Sequence, residues 1–138
     1  MLQLVLMLVL FTSCFDQRKI SDITPGKTSL KEVLTLYKDP LRIEQVSEEG
    51  EVEVFLWKDF SVQVSQKKIT HVFRSPAGDE EHLQYWLHQF SEHDMNVKTL
   101  ASDYGDHFVE MQFSNVGMNI IFDKTQQRVI RIITYEAK

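Results

Sequence analysis

Apolar side chains recur along this chain at two spacings, and the switches between them outline the fold. Leu30, Val33, Leu34 and Tyr37 fall at i, i+3, i+4 and i+7, the stripe of a helix with one buried face. Ser29, followed three residues later by Glu32, is a capping box that starts this helix. Asp39-Pro40 ends it near Lys38, because proline biases the residue before it towards extended backbone. Four β-rich runs follow, LRIEQV, VEVFLW, FSVQVS and ITHVF, separated by Glu48-Glu49-Gly50, Lys58-Asp59 and Gln66-Lys67-Lys68. Short runs between turn residues predict an antiparallel meander.

The pattern then begins again. DEEHLQYWLHQF carries Leu83, Trp86, Leu87 and Phe90 at the same helical spacing, and MNVKTL, FVEMQF, VGMNIIF and RVIRIITY follow it as strand candidates. Tyr104-Gly105-Asp106 takes the place of Glu49-Gly50-Glu51, and Ser114-Asn115 that of Lys58-Asp59. Aligning the halves sets Leu30 with Leu83, Leu41 with Met95, Gly50 with Gly105, Trp57 with Phe113 and Ile69 with Val129. The offset only grows along the chain, as it does when insertions fall in loops. The expectation is an internally duplicated α-β-β-β-β unit, with repeats at 28–75 and 79–138 of one α+β domain (28–138). Its antiparallel sheet has about eight strands, with helices packed on one face.

Hairpin geometry assigns the two faces. With Lys58-Asp59 as a two-residue turn, Trp57 lies beside Phe60 and Phe55 beside Val62 on the core side, while Leu56 pairs with Ser61, Val54 with Gln63 and Val52 with Ser65 facing outward. The same reasoning in the second half pairs Glu110 with Asn119 and Gln112 with Gly117 on the outer face. That face is then polar in the second repeat and partly apolar at Val52, Val54 and Leu56 in the first. This strip is the candidate partner-binding surface; scattered surface aliphatics, or a tether folded across them, account for the same residues. If Gln66-Lys67 is also a two-residue turn, Val62 pairs with His71, which puts His71 on the core side, with Arg131 at the equivalent point of the second half. Two polar residues at matching core-side positions either line a ligand cleft or snorkel to water near the sheet end.

The N-terminus changes the picture from fold to compartment. MLQLVLMLVLFTSC opens with an apolar run too short to cross a hydrocarbon core and of the length of a signal-peptide core. Phe11-Thr12-Ser13-Cys14 resembles the lipobox of bacterial lipoproteins, in which small residues precede an obligatory cysteine that is lipidated and becomes the mature N-terminus. The resemblance implies a lipoprotein signal peptide at 1–13, a tether at 14–27 and a lipid, palmitate among its acyl chains, on Cys14. Cys14 is the chain's only cysteine, so the domain beyond it has no internal disulfide even in an oxidising compartment. Phe15 after the cysteine, in place of aspartate, favours the outer membrane over the inner by the sorting preference of such lipoproteins. About 125 residues remain after the leader, enough for one domain with a real core.

Candidate chemistry is sparse. Fifteen Lys and Arg against twenty Asp and Glu give a net charge of −5, spread along the chain, which argues against nucleic acid, whose binders cluster cations. Gly26-Lys27-Thr28 matches the end of a phosphate-binding loop, but the position that needs glycine is Ser21 and no apolar strand leads in, so no nucleotide is expected. His82, His88 and His93 do not share a helix face, and no His-Glu-x-x-His spacing occurs. No nucleophile elbow is present. The chain is therefore expected to be no enzyme and to hold neither metal nor cofactor.

The PGKTSLKEVLTLYKDP segment followed by a meander resembles the G-x-[ST]-x-x-E-V signature of the BamE (SmpA/OmlA)-like envelope lipoproteins, with Lys38 near the position of the family's helix-ending glycine. Doubled, it is similar to the tandem-repeat fold of the β-lactamase inhibitor protein. The resemblance implies a lipid-anchored protein facing the periplasm that acts by binding, as an accessory or adaptor subunit of an envelope assembly. The alternative is a small-ligand or inhibitor-type binder on the same scaffold.

Overall fold

The computed structural model describes residues 19–90, 96–99 and 105–137. After a 3-10 turn at Ile20–Asp22 come helix α1 (Leu30–Tyr37) and strands β1 (Arg42–Gln45), β2 (Val52–Leu56), β3 (Phe60–Ser65) and β4 (Lys68–Arg74). A second 3-10 turn at Gly78–Glu81 leads into α2 (Leu83–Gln89), β5 (Asn96–Thr99), β6 (Phe108–Phe113), β7 (Met118–Asp123) and β8 (Arg128–Tyr135). All eight strands join one open antiparallel sheet in the order β1-β2-β3-β4-β8-β7-β6-β5. Two meanders therefore meet at β4 and β8, and β1 and β5 form the edges.

The first helix begins as its sequence predicts. The Ser29 hydroxyl accepts from the Glu32 N–H at 3.2 Å, and the Glu32 carboxylate accepts from the Ser29 N–H at 2.7 Å. Its buried Val33 packs on Phe55, Phe60, Val62, Val64, Ile69 and Val72. Leu83 and Trp86 of α2 pack in the same way on Val109, Met111, Phe113, Ile120, Phe122 and Ile132. Val62 and Val72 are opposite one another and fully shielded, each contributing roughly 1.5 kcal/mol or more through burial. The cross-strand register puts both helices on one side of the sheet.

Arg74 joins the two cores. It lies opposite Phe60 on one side and Ile132 on the other. Its guanidinium donates to both Glu80 carboxylate oxygens, at 2.7 and 2.8 Å, while the Glu80 carbonyl accepts from the Trp86 indole N–H at 2.8 Å. One acidic residue thus holds both the central strand and the second helix.

The Gly26-Lys27-Thr28 turn is structural. The Gly26 N–H donates to the Ile69 carbonyl at 3.2 Å, and the N–H groups of Lys27 and Thr28 both donate to the Thr24 carbonyl, at 3.0 and 2.9 Å. Donors that a phosphate would need are used to tie the turn to β4 and to close it.

Two register details depart from the sequence reading. In the β3–β4 hairpin Val64 pairs with Ile69 as expected, but Gln63 pairs with His71 and Val62 with Val72, because Thr70 forms a β-bulge whose hydroxyl donates to the Gln63 carbonyl at 3.2 Å. The extra residue moves His71 to the outer face. In β6–β7, Phe113 pairs with Met118 across a four-residue turn that closes at Gly117 (φ +66°), so Gln112 faces Asn119 and Glu110 faces Ile121. A shift of two residues keeps every side chain on its expected face.

Candidate functional site: the outer face of the sheet

The face away from the helices carries the predicted strip. Val52 pairs with Ser65, Val54 with Gln63 and Leu56 with Ser61, so the three aliphatics point outward as expected, and each is half-buried. Val46 extends the strip towards the edge. Its N–H donates to the Val52 carbonyl at 2.9 Å and the residue is 62% exposed. The second half is less polar than expected, because Ile121, opposite Glu110, lies on this face and is 3% exposed.

His71 and Arg131 are not core-side residues. A second bulge between Ile121 and Phe122 leaves Ile130 unpaired and sets Arg131 opposite Ile121, turning it outward as Thr70 turns His71. The two do not share a cleft. Arg131 borders a hollow of about 180 Å³ with Leu56, Ser61 and Phe73, whereas His71 borders an open cleft of about 680 Å³ with Thr70, Gln112, Asn119 and Tyr135.

That cleft has a defined hydrogen-bond order. The Tyr135 hydroxyl donates to Asn119 Oδ1 at 3.0 Å; Asn119 Nδ2 and Gln112 Nε2 both donate to Glu110 Oε1, at 2.6 and 3.1 Å. The His71 ring lies 6.1 Å from that of Phe73 and 5.9 Å from that of Tyr135, centroid to centroid. Its Nδ1 is 3.1 Å from the Thr70 hydroxyl, whose one proton is already given to the Gln63 carbonyl. The hydroxyl therefore accepts from Nδ1–H, and Nε2 keeps its lone pair. Burial pushes His71 below the ordinary histidine value, so the ring is neutral at pH 7. Burial, reinforced by the Glu110 carboxylate, raises the Tyr135 phenol. The wall presents a neutral imidazole acceptor between aromatic rings, suited to hydrogen bonding rather than charge transfer.

The outward positions of Glu110, Gln112 and Asn119 follow from the β6–β7 hairpin, but the approach of His71 to Tyr135 does not, since it depends on β4 meeting β8, a contact between residues far apart in sequence. The remaining candidates are placed more simply. His82 stands at the N-terminus of α2, and His88 is exposed near its end. Cys14, His93 and Met95 lie outside the described residues. Among the described residues, no group of three His, Cys, Asp or Glu side chains is placed to hold a metal ion, and no helix is long and apolar enough to cross a membrane. Comparison with known proteins finds no family model, no curated protein and no solved structure that matches this chain.

Proposed function

We propose that this chain is a lipid-anchored protein of the bacterial cell envelope, held through Cys14 with its domain facing the periplasm, on the outer membrane in preference to the inner. It acts by binding a protein partner, as an accessory or adaptor subunit, in the manner of the BamE-like lipoproteins it resembles. The observation that carries the binding reading is the apolar outer strip: Val52, Val54 and Leu56 face away from both helices, beside the exposed Val46. A partner covering that strip removes apolar area from water without disturbing the helix-side core.

The duplicated-unit reading gains support from matched irregularities. Each half bulges at the corresponding step of its last hairpin, at Gln63/Val64 and at Ile121/Phe122. Each also makes one isolated bridge from the residue before its helix to the first residue of its last strand, Ser29 to Lys68 and His82 to Arg128. Loop insertions leave such features in register, whereas unrelated meanders have no reason to share them.

A photo-crosslinking residue at Val54, in full-length protein in its own envelope, should capture a discrete protein, and Val54→Asp should abolish its co-purification while leaving the fold intact. Burying an unpaired carboxylate in such a contact costs about 2 kcal/mol or more. A folded Val54→Asp with undiminished co-purification removes the strip from consideration. Cys14→Ser should shift the protein out of the membrane fraction and end palmitate incorporation; unchanged behaviour overturns the anchoring. The second reading, a small-ligand binder, draws on the His71–Tyr135 cleft, where a free imidazole acceptor faces about 680 Å³ of open space.

A further inference from the structure

We infer that the open edge at β1 is a contact between two copies of this chain, paired antiparallel about a two-fold axis through Ile43. Among the described residues, no strand pairs with the outer side of β1. The Val46 N–H donates to the Val52 carbonyl, and Glu44 and Arg42 lie opposite Val54 and Leu56 in the same ladder. Because hydrogen-bonded pairs alternate along an antiparallel ladder, Arg42 and Glu44 direct their N–H and C=O groups towards β2, and Ile43 and Gln45 direct theirs away from the sheet. Those outward groups form a short template for another strand.

The edge is also where apolar surface remains exposed. Among the described residues, the three most exposed large hydrophobics, Leu41, Ile43 and Val46 at 78%, 50% and 62%, fall within this one segment, and Ile130 of β8 follows at 37%. Ile43 lies opposite Phe55 and so sits on the helix side, yet the residues that α1 covers belong to β2, β3 and β4. Nothing of α1's core extends over it.

The charge pattern names a second copy as the occupant. Arg42 and Glu44 flank Ile43 on the outer face, where they form an exposed ion pair at 2.8 Å. A two-fold axis through Ile43, perpendicular to the sheet, sets Arg42 of each copy directly opposite Glu44 of the other. Two opposite-charge cross-strand pairs arise from one interface, and each carboxylate then lies between two guanidiniums. On the helix side Ile43 meets Ile43 of the second copy; Leu41 stays outside the new ladder, because its own N–H donates to the Leu56 carbonyl at 2.7 Å. The interface is self-complementary, as a closed dimer requires, and it joins the two eight-stranded sheets edge to edge.

The test is sedimentation equilibrium of the full chain in a mild non-ionic detergent, with the leader unchanged in every variant. Wild type should dimerise. Arg42→Glu and Glu44→Arg each place two like-charge pairs across the axis and should weaken dimerisation about tenfold or more. Mixing the two variants re-creates two opposite-charge pairs, so the mixture should form a heterodimer about as tightly as wild type dimerises. Both positions are exposed, and circular dichroism should show unchanged folding of each variant. A wild-type chain that stays monomeric at about 100 μM overturns the inference. Single variants that dimerise like wild type, or a mixture that fails to recover, overturn it equally.

Discussion

Lys38 offers a direct test of how local backbone geometry limits the stability of this fold. It follows the last turn of α1 with φ +61° and ψ −155°, a region that glycine occupies freely and a residue with a Cβ enters at a cost of about 1–3 kcal/mol. The conformation is imposed from outside the residue. The chain must leave α1 and turn at once into Asp39-Pro40 and β1, and the Trp57 indole N–H donates to the Lys38 carbonyl at 3.3 Å, fixing the peptide. Lys38→Gly removes the clash but gives the unfolded chain more freedom, which offsets about 0.5–1 kcal/mol of the gain. The net expectation is a stabilisation of about 1 kcal/mol, a rise in Tm of roughly 4 °C for a domain of this size. Lys38→Ala serves as the control. It discards the ammonium and keeps the Cβ, so it should melt close to wild type. Urea and thermal unfolding followed by tryptophan fluorescence measure both variants. A Lys38→Gly chain no more stable than Lys38→Ala would refute the reasoning, because relief of strain would then be absent.

The Arg74–Glu80 pair makes stability depend on acidity. Hydrogen bonds from Arg74 hold the Glu80 carboxyl below the ordinary glutamate value against the opposing effect of burial. A folded value below the unfolded one gives stability that is full at neutral pH and is lost as pH falls from about 4.5 through the folded value. Glu80→Gln should cost about 2 kcal/mol at pH 7 and flatten the acid limb of Tm against pH; an unaltered acid limb would show that this pair does not set it. Gly117→Ala should cost about 3 kcal/mol in chemical denaturation, since the new Cβ meets the Tyr135 carbonyl oxygen at φ +66°, and a loss of under 1 kcal/mol would contradict that packing. Ser29→Ala should cost about 1 kcal/mol by the same measurement through loss of the cap; an unchanged midpoint would mean that the capping box contributes nothing to α1.

Much of the architecture was legible because it depends on local period and local turns. The stripe Leu30, Val33, Leu34, Tyr37, the Ser29 cap and the two-residue Lys58-Asp59 turn are set by neighbours in sequence, and the outward positions of Val52, Val54 and Leu56 follow from that turn by alternation. The even-numbered error in the β6–β7 turn did no harm to the faces, since a strand repeats every two residues. His71 and Arg131 failed for the opposite reason. A single bulged residue, Thr70 or Ile130, inverts every side chain beyond it, and the sequence carries no sign of a bulge when the displaced residue is an ordinary strand former. The strand order lies further still from local rules. That β4 meets β8, so that His71 faces Tyr135 and Arg74 faces Ile132, and that β1 stands at the edge of the sheet, are pairings between distant segments that no local period or turn specifies. Alternation specifies a face for each side chain, but only long-range packing specifies its neighbour.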